Sequence, residues 1–241
     1  MKWTLPNILT LARICLTPVI ALLPFIQGTW PKVIAFLIFL AAAISDVVDG
    51  YLARRYKQVS DLGKLLDPIA DKLLLFATLI PIFWLTRHPT LLVDYRIPWW
   101  GSLPVWVALL LVGRELLMTA IRFLAQRRGV VIAAIGAGKL KAAVQNVFIG
   151  ATLFWFAWKD ALVDHPVAQG FRNFWDKFHG WFVSLTLFGA IVLTIYSLGV
   201  YLYHYRALFR ILVSRAPPRP PEAEAPPAPI PSEARSSDHR H

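Results

Sequence analysis

The chain has 241 residues, 57% of them hydrophobic and 16% charged, whereas an ordinary soluble domain is about 45–50% apolar and about 25% charged. A water-soluble globule has nowhere to put that excess, so the composition excludes one and points to an integral membrane protein. The formal net charge of +11 would suggest nucleic acid as a partner in a soluble protein; in a membrane protein its placement matters more, and no nucleic-acid partner is expected.

Six apolar runs, near 8–27, 31–53, 66–86, 103–125, 142–158 and 179–204, each approach the roughly 20 residues that cross a hydrocarbon core as a helix. The expected fold is therefore all-α: six transmembrane helices in one membrane domain over residues 1–212, with a disordered cytosolic tail over 213–241. The first run follows Lys2 and superficially resembles a secretory signal. It is long for one, Arg13 and Pro18 interrupt it, and no small-residue cleavage pattern stands near Gln27 to Trp30, so it is read as mature structure. Cys15 is the only cysteine, which rules out a disulfide framework or a thiolate metal site. It is read as a small residue facing lipid or a neighbouring helix.

The second and third runs are joined by SDVVDGYLARRYKQVSDLGKLLDPIADKLL, residues 45–74. Asp46 and Asp49 are three apart and Asp67 and Asp71 four apart, spacings that put each pair on one helical face. A connection of about nine residues makes the two helices antiparallel neighbours, so the acidic faces are expected to meet. An acidic residue at the centre of a membrane helix costs about 2.5–3.5 kcal/mol, and four cost on the order of 10. Total stability is only about 5–15 kcal/mol, so something positive must sit among them. Arg54 and Lys72 are nearby, but two cations cannot neutralise four carboxylates. Hard divalent cations can, and Mg²⁺ is usually held by carboxylates together with substrate phosphates. Gly50 and Ala53 leave a smooth patch beside the acids, a surface suited either to helix packing or to close approach of a bulky ligand. Pro68 fits if its helix begins only shortly before it, and Asp61 is read as a loop or capping residue.

Trp99, Trp100 and Trp106, then Trp175 and Trp181, then Tyr201, Tyr203 and Tyr205 bunch at expected span ends, as an interfacial aromatic belt does. Beyond Arg215 the chain is rich in Pro, Ala, Glu and Ser, a composition that cannot bury a core; His239 and His241 lie within it and carry no expected metal role. Lys and Arg cluster at Arg54, Arg55, Lys57 and Lys64, at Arg127, Arg128, Lys139 and Lys141, and at Arg206, Arg210 and Arg215. The other connections carry fewer: Lys32, then Arg87 and Arg96, then Lys159, Arg172 and Lys177. By the positive-inside rule both termini and the connections after the second and fourth spans are cytosolic, in a multi-pass cell (inner) membrane protein, with the basic excess facing anionic membrane lipids.

Residues 46 to 71 read Asp46-x2-Asp49-Gly50-x2-Ala53-Arg54-x8-Gly63-x3-Asp67-x3-Asp71. This pattern resembles the signature of the CDP-alcohol phosphatidyltransferase family, with every fixed position filled. The resemblance implies a six-helix fold with a cytosol-facing polar cavity and two divalent ions, Mg²⁺ or Mn²⁺, held by Asp46, Asp49, Asp67 and Asp71. It further implies Asp71 as general base, and Asp49, Gly50, Ala53, Arg54 and Gly63 at the cytidine diphosphate part of the donor; a homodimer is expected on the same likeness. LPNILTLARI at 5–14, GRELLMTAIR at 113–122 and GKLKAAVQ at 138–145 are similar to one branch of the family, the bacterial phosphatidylglycerophosphate synthases. Gly113 fits that branch, while Ala142 stands where it often has threonine.

What this implies is an enzyme of phospholipid biosynthesis that transfers the phosphatidyl group of CDP-diacylglycerol to the 1-hydroxyl of glycerol 3-phosphate, releasing CMP. The acceptor's phosphate must meet fixed cations, and Arg114, Arg122, Lys139 and Lys141 are the candidates, since arginine binds phosphate bidentately and lysine as a point charge. The alternative for each is snorkelling to headgroups, and Glu115 is read as a partner for Arg114. Three other functions stay open: the same donor with another acceptor, giving cardiolipin, phosphatidylserine or an inositol-phosphate lipid; a cation transporter, since intramembrane acids also mark ion pathways; and an inactive membrane scaffold.

Overall fold

Backbone polar groups in hydrocarbon must be satisfied within their own segment, which leaves an apolar run few choices besides a helix. The computed structural model describes residues 5–55, 61–89, 93–127 and 136–204, and in it every apolar run is helical. Helix α1 spans Leu5–Leu22 and is followed by a 3-10 turn, Leu23–Phe25. Then come α2 (Thr29–Arg55), α3 (Asp61–Leu85), α4 (Val105–Arg127), α5 (Gly136–Asp164) and α6 (Gln169–His204). Five of them, all but α4, are long and apolar enough to cross a membrane. Helix α4 is long enough, but Arg114, Glu115 and Arg122 fall within its first 18 residues.

Several boundaries differ from the sequence reading. Helices α5 and α6 extend past their apolar runs, so Lys159, Arg172 and Lys177 lie in helices rather than in a connection. Helix α2 continues to Arg55 and α3 begins by Asp61, both past the apolar stretch; residues 56–60, within the expected connection, lie outside the described residues. Pro68 lies well inside α3, which begins at Asp61; its ring leaves the carbonyl of residue 64 without the usual helical donor.

Neighbour relations also depart from expectation. Helix α1 packs against both α3 and α2, α5 against α6 and α2, and α4 against α6 and α3. Among the described residues α2 and α3 do not pack extensively on each other; α1 lies against both. Two acidic faces pressed together would repel strongly in a low-dielectric interior, and α1 brings a cation, Arg13, to both. The core that holds this arrangement comprises Phe39, Ile82, Leu103, Leu111, Phe148, Leu153, Phe156 and Leu187, all buried. Large apolar side chains such as Trp30, Leu109, Phe174 and Leu185 are exposed around the outside, a surface that suits lipid and would be an aggregation hazard in water. Cys15 is exposed among them.

One end of the bundle is tightly closed. Lys32 Nζ donates to Asp160 Oδ2 at 2.6 Å and to the Ile26 carbonyl at 2.9 Å, and the Tyr95 hydroxyl donates to Asp160 Oδ1. Burial, and secondarily that bond, push the Tyr95 phenol far above its ordinary range, so it stays a donor. The loop bearing Tyr95 turns through Trp99 and Gly101, both at positive φ, and Ile97 and Gly101 exchange backbone hydrogen bonds of 2.6 and 2.8 Å. Helix α6 passes beneath this loop at Gly180, where an added Cβ would lie 2.5 Å from the Pro98 ring; Ser184 next to it donates to the Pro98 carbonyl at 2.8 Å. Residues 205–241, including the expected tail, lie outside the described residues.

Candidate active site

The opposite end of the bundle holds a cavity of about 740 Å³ built from α2, α3, α4, α5 and α6. Asp46 on α2 and Asp67 and Asp71 on α3 line it, and so do Arg114 and Arg122 on α4, Lys139 and Lys141 on α5, and Tyr201 on α6. Seven residues singled out in the sequence on the strength of two separate arguments therefore share one chamber. The side chains of Asp49, Arg54 and Ala53, and Gly50 and Gly63, fall outside the described residues, although all five positions lie within α2 or α3.

The carboxylates reach the chamber because four residues make just over one helical turn, which keeps Asp67 and Asp71 on one face of α3. Their partners come from α1. Arg13 Nη1 donates to Asp46 Oδ1 at 2.8 Å and to Asp71 Oδ1 at 3.4 Å, and Thr10 Oγ1 donates to Asp67 Oδ1 at 2.8 Å. The Arg13 side chain is 1% exposed, whereas those of Asp46 and Asp71 are 46% and 54% exposed. Along the sequence Arg54 and Lys72 are the cations nearest the acids, and Arg13 is only an interruption of the first span. The signal was there: an arginine at the middle of an apolar run needs a buried partner or a polar cavity, and the surplus carboxylates were the partners.

The basic wall is less uniform than its sequence suggests. Arg114 Nη1 and Lys141 Nζ both donate to Glu115 Oε1, at 2.7 and 2.8 Å, and Arg114 Nη2 donates to Ser197 Oγ at 3.2 Å. Arg122 Nη2 donates to the Tyr201 hydroxyl at 3.0 Å, and the guanidinium carbons of Arg114 and Arg122 each lie 5.8 Å from the Tyr201 ring centre, within reach of the ring's negative face. Lys139 is exposed and Arg122 half-buried, while Arg114 and Lys141 are buried. Tyr201, read from the sequence as part of an aromatic belt, is instead buried and turned into the cavity; the span-end pattern does not distinguish a tyrosine facing headgroups from one facing a neighbouring helix.

Divalent ions fit the acidic wall on three counts. Asp46, Asp67 and Asp71 line one open chamber, Asp46 and Asp71 are about half exposed, and carboxylate oxygens are the hard ligands such ions take. Among the described residues no three acidic, histidine or cysteine side chains are grouped so as to hold a metal ion by themselves. Mg²⁺ does not need one, since it keeps several waters and takes one or two carboxylates plus substrate phosphates.

A bundle of lipid-facing helices around a cavity that sets carboxylates against cations defines a multi-pass membrane protein with a charged internal chamber. The chain belongs to the CDP-alcohol phosphatidyltransferase family, whose model matches residues 3–203. It is 33% identical over 211 residues to the CDP-diacylglycerol–glycerol-3-phosphate 3-phosphatidyltransferase of Escherichia coli (strain K12), a match that covers 86% of this chain and 97% of that protein. The proteins of the same name from Shigella sonnei (strain Ss046) and Shigella flexneri serotype 5b (strain 8401) match with the same identity and coverage.

Proposed function

We propose that this protein transfers the phosphatidyl group of CDP-diacylglycerol to glycerol 3-phosphate, forming phosphatidylglycerol phosphate and releasing CMP. The observation that carries the reading is the shared cavity, with Asp46, Asp67 and Asp71 on one side and Arg114, Arg122, Lys139 and Lys141 on the other. A donor pyrophosphate needs the first wall and a phosphorylated acceptor needs the second. The names and near-complete coverage of the relatives support the same choice of acceptor.

In the reaction, the 1-hydroxyl oxygen of the acceptor bonds to the phosphorus that carries diacylglycerol, and the bond from that phosphorus to the CMP oxygen breaks. The hydroxyl proton goes to Asp71. Of the two carboxylates on Arg13, Asp71 is held at 3.4 Å and Asp46 at 2.8 Å, so Asp71 is the one freer to accept a proton. Such general-base help contributes about 10²–10⁴ in rate. Asp46, Asp49, Asp67 and Asp71 would hold two divalent ions, Mg²⁺ or Mn²⁺, which when bound supply neutralisation of the pyrophosphate and of the departing CMP. Asp49, Gly50, Ala53, Arg54 and Gly63 take the cytidine diphosphate part of the donor. Arg122 and Lys139 present the most open charge to the acceptor phosphate, while Arg114 and Lys141 stand behind them.

The reading extends to topology. Helix α4 is a sixth span whose charges turn inward to the cavity, and the basic residues near the ends of α2 and α4 put that cavity and both termini on the cytosolic side. Residues 1–212 form the membrane domain, and two copies pair as a homodimer. The deciding experiment reconstitutes the purified chain in lipid vesicles with Mg²⁺ or Mn²⁺ and CDP-diacylglycerol. CMP should appear on addition of glycerol 3-phosphate, and not with serine, inositol phosphate or phosphatidylglycerol. Preference for one of those acceptors would overturn the substrate, and no CMP with any acceptor would overturn the reaction.

A further inference from the structure

Glu115 is out of place in a wall meant for anions. It lines the cavity, it is 24% exposed, and it repels whatever phosphate approaches. Yet one of its oxygens, Oε1, lies 2.7 Å from Arg114 Nη1 and 2.8 Å from Lys141 Nζ. Those two cations are 6% and 2% exposed, too deep to be solvated by water, and a buried charge without a partner is costly. A single oxygen held between a guanidinium and an ammonium occupies the position that one oxygen of a phosphate would take, since both are charge-assisted acceptors for the same donors.

We propose that Glu115 is a specificity-determining counter-ion: it competes with the acceptor's phosphate for Arg114 and Lys141 and so limits how tightly the cavity holds a phosphorylated ligand. This rests on the acceptor assignment above and deepens it. The benefit is kinetic. The lipid product keeps the acceptor's phosphate, so two bare buried cations would hold substrate and product alike, and binding that is equal in ground and transition states does not raise turnover. With Glu115 in place the pair is neutralised to a net single charge before the acceptor arrives and again as the product leaves. Ser197 on α6 accepts from the other guanidinium nitrogen of Arg114 at 3.2 Å, so removing the Glu115 charge need not release that arginine.

Glu115→Gln tests this, because the amide oxygen still accepts from both cations while the negative charge is gone. In the vesicle assay its KM for glycerol 3-phosphate is expected to fall about threefold to tenfold, as loss of a like charge close to an anion should give in a partly solvated cavity. Inhibition by inorganic phosphate should strengthen by the same factor, kcat should fall as product release slows, and the KM for CDP-diacylglycerol should stay put. Glu115→Asp, which keeps the charge but draws it back, is expected to move the same constants in the same direction by less. If the glutamine variant is too unstable for turnover, phosphate-dependent thermal stabilisation in detergent replaces kinetics, and phosphate should stabilise it more than the parent. A purely structural glutamate would leave the acceptor KM and phosphate inhibition unchanged, or shift both substrates' KM together, and either result overturns the proposal. A parent protein that releases no CMP with glycerol 3-phosphate would instead overturn the acceptor assignment, which keeps the two failures apart.

Discussion

Two clusters of charge sit at opposite ends of this bundle, and they are built differently. At the closed end Lys32 and Asp160 pair at 2.6 Å with side chains 4% and 8% exposed, and Tyr95 takes the second carboxylate oxygen. In this pair one positive group meets one negative group, and the result clamps a loop. At the open end a buried Arg13 serves Asp46 and Asp71 at once, and each of those carboxylates remains about half exposed. A matched pair is what a protein needs to survive burial of charge. A surplus of open carboxylates is what it needs to bind something else.

That contrast can be broken from either side. The largest expected effect is at the open end, where Asp71→Asn should lower kcat by about 10²–10⁴ while CDP-diacylglycerol still binds; single-turnover CMP release with a parallel donor-binding measurement checks it, and a near-normal rate would remove Asp71 as base. At the closed end Lys32→Met strands Asp160, and loss of one partner from a buried pair costs about 3–5 kcal/mol. Thermal unfolding should record that loss while the folded fraction keeps its turnover per molecule. Gly180→Ala drives a methyl group to 2.5 Å from the Pro98 ring, and such overpacking costs about 1–3 kcal/mol, again with turnover unchanged. The smallest effect sharpens the comparison: Arg13→Gln should cost about 1–2 kcal/mol, since Asp46 and Asp71 can still be wetted. Because divalent ions would then relieve an unshielded pair of carboxylates, adding Mn²⁺ should raise the melting temperature of this variant more than that of the parent.

Much of the molecule was legible in its sequence because membrane burial makes polar residues conspicuous. Apolar runs of span length marked all six helices, and Asp46, Asp67 and Asp71 stood out because nothing in hydrocarbon tolerates them unaided. Their spacing also put Asp67 and Asp71 on one face correctly. What it did not carry was which helix lies beside which. The short connection between α2 and α3 suggested direct contact, whereas α1 packs against both and supplies Arg13 and Thr10. Loop length constrains how far apart two helix ends can be, but it does not say which third helix packs against both. The basic wall shows the same limit: Arg114, Arg122, Lys139 and Lys141 were all identifiable as cations near one end, but only packing separates the buried, glutamate-bound pair from the open pair. The place of Tyr201 is hidden for the related reason that its neighbours, Arg114 and Arg122, are about 80 positions away in the chain, while its local pattern resembles any interfacial belt.

The central claim is that the carboxylates of α2 and α3 hold divalent ions for a phosphate-bearing ligand. Mn²⁺ binding followed by electron paramagnetic resonance on the detergent-solubilised chain, with and without CDP-diacylglycerol, tests it most directly. The account predicts bound Mn²⁺ that tightens when the donor is added and is lost or greatly weakened in Asp46→Asn and Asp67→Asn. Equal Mn²⁺ binding by the parent and both variants would contradict it.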